Sequence, residues 1–263
     1  MSKNQLLSLS PLDGRYSSQL EVLRHYFSEY AYIVYRVKTE VLWFKEISKI
    51  GLKEFPPLSS EAEKEITSWY ENISYQDVEE IKKIESRINH DVKSVEYFLK
   101  SKAVKSGLSD LSNLAEFFHF CCTSEDINNL SHSMMLFDAR EKLLLPFFEK
   151  IVAQLAKIII ETSEDAMLSR THGQTASPTT MGKEIANLRA RIRNSRDRLK
   201  QIKVMGKFNG AVGNFNAHHF SCPEIDWPSI SESFVKKLGL NVNLMTTQIE
   251  PHDWIAEYSD AVF

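Results

Sequence analysis

Five polar stretches carry the residues able to do chemistry. The first is Ser169-Arg170-Thr171-His172-Gly173-Gln174-Thr175-Ala176-Ser177-Pro178. A single imidazole sits at its centre among hydroxyls, an amide and an arginine. A histidine is a natural proton donor to a leaving group, because its ordinary pKa of about 6.5 lies near working pH. Ser177 as N-cap with Pro178 at the first helical position would start the following helix, placing the stretch beside an anion-favouring helix N-terminus. The same residues also read as a polar turn whose histidine bonds locally.

Asn89-His90-Asp91-Val92-Lys93 follows Arg87 and Ile88. Adjacent residues do not share a helix face. At a helix entrance, however, Asn89, His90 and Asp91 could meet one ligand, or Asn89 or Asp91 could simply cap. Thr123-Ser124-Glu125-Asp126-Ile127-Asn128-Asn129 also reads as a helix start, its hydroxyls suited either to capping or to an anionic ligand. Arg15-Tyr16, in the loop opened by Ser10-Pro11, suits a carboxylate or phosphate, and equally a surface charge. Thr247-Gln248-Ile249-Glu250-Pro251-His252-Asp253 is the last polar loop.

The elements that must position these stretches read as helices. Tyr30, Ile33, Val34, Val37, Val41, Phe44 and Ile47 recur at spacings of three and four, and Gly51 is a plausible stop. Ser60 with Glu63 predicts a capping box. Residues 130 to 160 show a wide apolar sector with Pro146 as an interruption, expected at the centre of a bundle or against a second subunit. An arginine-rich helix over 183 to 204 reads as a solvated or subunit-facing surface. Gly206 to Asn214 is a glycine-rich turn without the order of a phosphate-binding P-loop. Ser229 with Glu232 predicts one more capped helix, and another begins near Pro251. The expected fold is all-α: an N-terminal helical domain over 1–111, then the start of a long central bundle over 112–263.

The 263 residues include 32 Lys and Arg against 35 Asp and Glu, so electrostatics give no case for nucleic acid. The three cysteines, Cys121, Cys122 and Cys222, form neither a metal-ligand spacing nor a disulfide framework, and point to a reducing, cytoplasmic setting. No apolar run approaches the length of a membrane span, and no partnership with a membrane is expected.

Together, in this order, the five stretches resemble adenylosuccinate lyases, within the fumarase/aspartase superfamily. The Thr171-His172-x-Gln174 core alone identifies only the superfamily. The resemblance implies an all-helical bundle shared by four subunits. It implies β-elimination of fumarate from adenylosuccinate to give AMP, and from the succinylated carboxamide ribotide of purine synthesis. By position, His172 resembles the general acid. His90, with Asn89 and Asp91, resembles substrate-holding positions near the phosphate. Arg15, Tyr16, Thr123, Ser124 and Gln248 resemble further substrate contacts. The scheme requires no metal and no organic cofactor. The family's base is a serine in a Ser-Ser-x-Met-Pro-x-Lys-x-Asn pattern, and no Met-Pro pair occurs here. The expectation is therefore an N-terminal part of a longer enzyme, inactive alone; the last helix, ending on Phe263 without a cap, reads as cut. The alternatives are another fumarate-releasing lyase of argininosuccinate type, or a non-catalytic helical assembly module.

Overall fold

The computed structural model describes residues 6–263. The described residues form two compact units: those up to 136 with 205–251, and 137–204 with 252–263. The boundary expected between 111 and 112 falls inside the first unit.

In the first unit, α1 (Glu21–Phe27) leads into α2 (Glu29–Ile47), whose N-cap Ser28 accepts from the Ala31 N–H at 3.1 Å. The predicted stripe of α2 forms the core: Ile33, Val37, Val41, Phe44 and Ile47 are fully buried. Around it lie α3 (Ser60–Glu71), α4 (Tyr75–Ile88), α5 (Asp91–Lys105) and the single turn α6 (Ser109–Ser112). Phe44 stacks on Phe118 at 4.3 Å, and Trp43 meets Phe208 at 4.4 Å and Phe234 at 5.2 Å. These aromatic contacts join the early helices to the later segment of the same unit.

α7 (Ser124–Ala139) begins in this unit. After residue 204 the chain returns through β3 (Met205–Gly206), which pairs in parallel with β4 (Asn241–Val242). Between them lie α10 (Asn216–Ser221) and α11 (Trp227–Lys237).

In the second unit, a π-helical turn over Arg140–Leu144 precedes α8 (Leu145–Glu161), so the interruption expected at Pro146 takes the form of one overwide turn just before it. Next come β1 (Ala166–Thr171), β2 (Gln174–Thr180), α9 (Met181–Gln201) and, near the end, α12 (Asp253–Val262). At the close approach of α8 and α9, a Cβ on Gly182 would stand 2.7 Å from the Ile159 carbonyl oxygen, so a glycine is required there.

The chain is mostly helical, as expected, with 62% of the described residues in helix and 7% in strand. Several local expectations are corrected. The stretch around His172 is not a loop before a helix but an antiparallel ribbon, and Ser177 and Pro178 lie within β2. The N-cap of α9 is Thr180, accepting from the Lys183 N–H at 3.3 Å. Ser59, not Ser60, caps α3, and Asp226, not Ser229, caps α11. A true capping box occurs instead at Ser74 and Asp77. In each case a neighbouring hydroxyl or carboxylate offered the same chemistry in a nearby register.

Candidate functional site

His172 sits at the tip of the β1–β2 ribbon. Thr171 pairs with Gln174, leaving His172 and Gly173 as the two turn residues with φ of +50° and +76°. Two successive positive φ values define the tight turn that matches the natural twist of a hairpin, and glycine takes the second at no steric cost. Ser169 Oγ donates across the ribbon to the Ser177 carbonyl at 2.5 Å. The His172 side chain is exposed, and the ribbon's length separates it from the α9 N-terminus. The anion-favouring helix end therefore does not adjoin His172.

In the first unit, Asn89 closes α4 in the left-handed region at φ +56°. His90 then caps α5, its Nδ1 accepting from the Lys93 N–H at 3.2 Å, so the cap belongs to the histidine rather than to Asn89 or Asp91. With Nδ1 accepting, a neutral His90 carries its proton on Nε2. Asp91 is the first helical residue and pairs with Arg36, which is 4% exposed. Burial pushes the Asp91 carboxyl up, but the Arg36 guanidinium and the Val92 N–H outweigh it and hold the group below the usual carboxylate range.

Arg36 has a second task. Its Nε donates to Asn128 Oδ1 at 2.9 Å, and Tyr32 Oη donates to the same oxygen at 2.8 Å. The guanidinium lies 3.7 Å over the Tyr32 ring, and that ring stacks on His132 at 4.2 Å. Asp91 is thereby tied to the first turns of α7, the helix that opens at Thr123 and Ser124.

That helix start is held from several sides. The Thr123 N–H donates to Asp126 Oδ2 at 2.9 Å. Just upstream, His119 and Cys121 adopt φ of +62° and +59°. Glu40, fully buried, fixes this bent segment by accepting from the His119 N–H at 3.1 Å and pairing with His119 Nδ1 at 2.6 Å. Burial pushes His119 down, and the Glu40 carboxylate more than reverses it, so the imidazole titrates above its ordinary value.

The Gln248 loop is reached through the glycine-rich turn. Asn209 Nδ2 donates to Thr246 Oγ1 at 2.8 Å, and a Cβ on Gly213, at φ +80°, would lie 2.1 Å from the Thr246 carbonyl oxygen. The backbones of residues 213 and 246 thus touch, and Gln248 is presented on an exposed loop. Arg15 and Tyr16 occupy a turn closed by its own backbone bonds, Gly14 N–H to Ser10 at 3.0 Å and Tyr16 N–H to Pro11 at 2.9 Å. The Arg15 guanidinium stands 5.9 Å from the Tyr16 ring centroid. Among the described residues, one set of hydrogen bonds links Asp91 through Arg36 to Asn128, and a second links Thr123 through Asp126 and Asn209 to Thr246 in the loop of Gln248; α7 carries both sets, and neither brings in Arg15 or Tyr16.

Sequence reasoning missed Arg36 and Lys207, the latter a buried ammonium 2.9 Å from Asp126 Oδ1. Each had a faint signal: a lone arginine within the apolar stripe of α2, and a lysine between Gly206 and Phe208. Among the described residues, no group of three or more His, Cys, Asp or Glu side chains could hold a metal ion.

The chain is 44% identical to adenylosuccinate lyase of Escherichia coli strain K12 over 263 residues, covering 100% of this chain and 57% of that protein. It is 46% identical to adenylosuccinate lyase of Haemophilus influenzae, with the same coverage. The chain therefore spans little more than half the length of these curated relatives. Among solved structures, fumarate lyase from Mesorhizobium sp. BNC1 superposes with a TM-score of 0.74 at 20% identity, over 92% of this chain and 53% of that one, and shows the shared fold. The sequence profile of the family described as Lyase matches residues 14–263, and the chain belongs to that family.

Proposed function

We propose that this chain forms part of an adenylosuccinate lyase, eliminating fumarate from adenylosuccinate to give AMP and from the succinylated carboxamide aminoimidazole ribotide of purine synthesis. The observation that carries this reading is the network from Asp91 through Arg36 to Asn128, and from Asp126 to the loop of Gln248, in a chain 44–46% identical throughout its length to adenylosuccinate lyases.

β-Elimination needs a base for the proton beside a carboxylate, an acid for the departing nitrogen, and donors for the developing negative charge. His172, exposed at a tight turn of fixed geometry, is the acid that protonates the leaving nitrogen. Asn89, His90 and Asp91 hold the substrate near its phosphate, the His90 Nε2 proton being the one free to donate. Thr123, Ser124 and Gln248 add neutral hydrogen bonds, and Arg15 with Tyr16 adds a cation and a phenol. The base is expected on the serine pattern of the family, so catalysis is assigned to the intact protein. The three unpaired cysteines favour a cytoplasmic setting, and no described helix is long and apolar enough to cross a membrane.

A homo-oligomer, a tetramer with shared sites, belongs to the same proposal. On α8 only Val152 is buried, whereas Phe147 is 58% and Ile160 75% exposed, leaving much of an apolar helix for another subunit to cover. Sedimentation of the intact protein as a monomer would remove this part.

The test is fumarate release by the intact protein, with adenylosuccinate and argininosuccinate offered in turn. Release from adenylosuccinate alone supports the proposal. Release from argininosuccinate alone overturns it in favour of the other lyase, and release from neither favours an assembly module.

A further inference from the structure

Asp126 and Lys207 form an ion pair with both side chains fully buried, Nζ lying 2.9 Å from Oδ1. Burying two charges is costly, and such a pair is weak evidence of a purely stabilising role. Its surroundings show what it organises. Asp126 Oδ2 accepts from the Thr123 N–H at 2.9 Å and the Gly210 N–H at 3.2 Å. Oδ1 accepts from the Asn209 N–H at 3.2 Å. Lys207 Nζ also donates to the Gly210 carbonyl at 2.8 Å. Asn129 grips the lysine backbone on both sides, accepting from its N–H at 2.8 Å and donating to its carbonyl at 3.0 Å. One carboxylate and one ammonium thus fix the backbone of the Thr123 turn and of the glycine-rich turn, and Asn209 and Gly213 of the latter hold the loop of Gln248.

We propose that Asp126 and Lys207 are positioning residues that set the Thr123–Ser124 segment and the Gln248 loop in register for the substrate. This rests on the assignment of Thr123, Ser124 and Gln248 as substrate contacts. Neither charged group needs to touch substrate. The carboxylate is required because only it accepts at both oxygens, and the lysine because a lone carboxylate at full burial would be unpaired.

The test uses Asp126→Asn combined with Lys207→Met in the intact protein. Removing both charges avoids leaving either one buried alone, so the fold is retained. The amide that replaces the carboxylate has a single carbonyl oxygen and cannot accept at both edges. KM for adenylosuccinate should rise about tenfold while kcat falls less than about threefold. Adding Thr123→Ala should then cost less than it does in the wild-type background. A KM within about twofold of wild type, or full additivity with Thr123→Ala, overturns the proposal.

Hydrogen exchange on the unaltered protein supplies the second arm, and it applies even if the double variant fails to fold. Peptides spanning 118–127 and 205–214 should exchange slowly and gain protection together on adding AMP with fumarate. Protection of the first without the second refutes the positioning role. If Thr123→Ala alone leaves KM unchanged, the substrate assignment fails instead, while slow exchange of both peptides in the free protein would still stand.

Discussion

Arg36 and Asn128 meet at 2.9 Å, Nε to Oδ1, joining the middle of α2 to the second turn of α7. Because the same guanidinium holds Asp91, three segments distant in sequence depend on one side chain. Arg36→Met should lower stability by about 1–3 kcal/mol, since it leaves Asp91 unpaired and Asn128 short of a donor. Arg36→Lys should recover little, because an ammonium cannot repeat the forked geometry. The Asp91 carboxyl titrates low in the fold, so its contribution is present above the ordinary carboxylate pKa and is lost as pH falls through the folded value. Urea unfolding should therefore show the gap between wild type and Arg36→Met closing in acid. A gap that widens there would contradict the pairing.

His218 gives a separate dependence on pH. The ring is 1% exposed among Trp43, Phe208, Phe215 and Trp227, and among the described residues neither ring nitrogen has a hydrogen-bond partner. Burial pushes its pKa from 6.5 down to about 4, with the Asp126 carboxylate opposing and His219 and Lys207 assisting. The unfolded chain takes up the proton first. Stability is thus fully present above the ordinary value and falls as pH drops from 6.5 toward 4, by up to about 3 kcal/mol. Urea midpoints across this window should slope downward in wild type and flatten in His218→Phe. An equal slope in both would assign the acid sensitivity elsewhere.

Gly213→Ala tests the contact behind Gln248. The added methyl would meet the Thr246 carbonyl at 2.1 Å, at a φ of +80° that alanine disfavours, so the two loops must part. KM for adenylosuccinate should rise about tenfold with the melting temperature lowered by only a few degrees. An unchanged KM would disconnect this contact from substrate binding.

The parts of the fold legible in sequence were those whose burial has a period. The α2 stripe is one: Ile33, Val37, Val41, Phe44 and Ile47 repeat as a helix face must, and all are buried. The His172 ribbon was illegible because its strands are mostly exposed on both sides and carry no alternation of apolar residues. Only the two-residue turn marks it, and His-Gly is a weaker hairpin signal than Asn-Gly. Candidate contacts such as Asn89 and Thr123 were visible as polar types at helix entrances. Their supports were not, because Arg36 to Asn128 and Asp126 to Lys207 are long-range pairings that no local pattern encodes.

The most direct test of the central claim is fumarate release from adenylosuccinate by the intact protein carrying His172→Asn. Asparagine tolerates the left-handed conformation at this position, so the turn should survive. The account predicts that turnover falls about a hundredfold or more while the helical circular dichroism is unchanged. Wild-type turnover in a folded His172→Asn protein would contradict it.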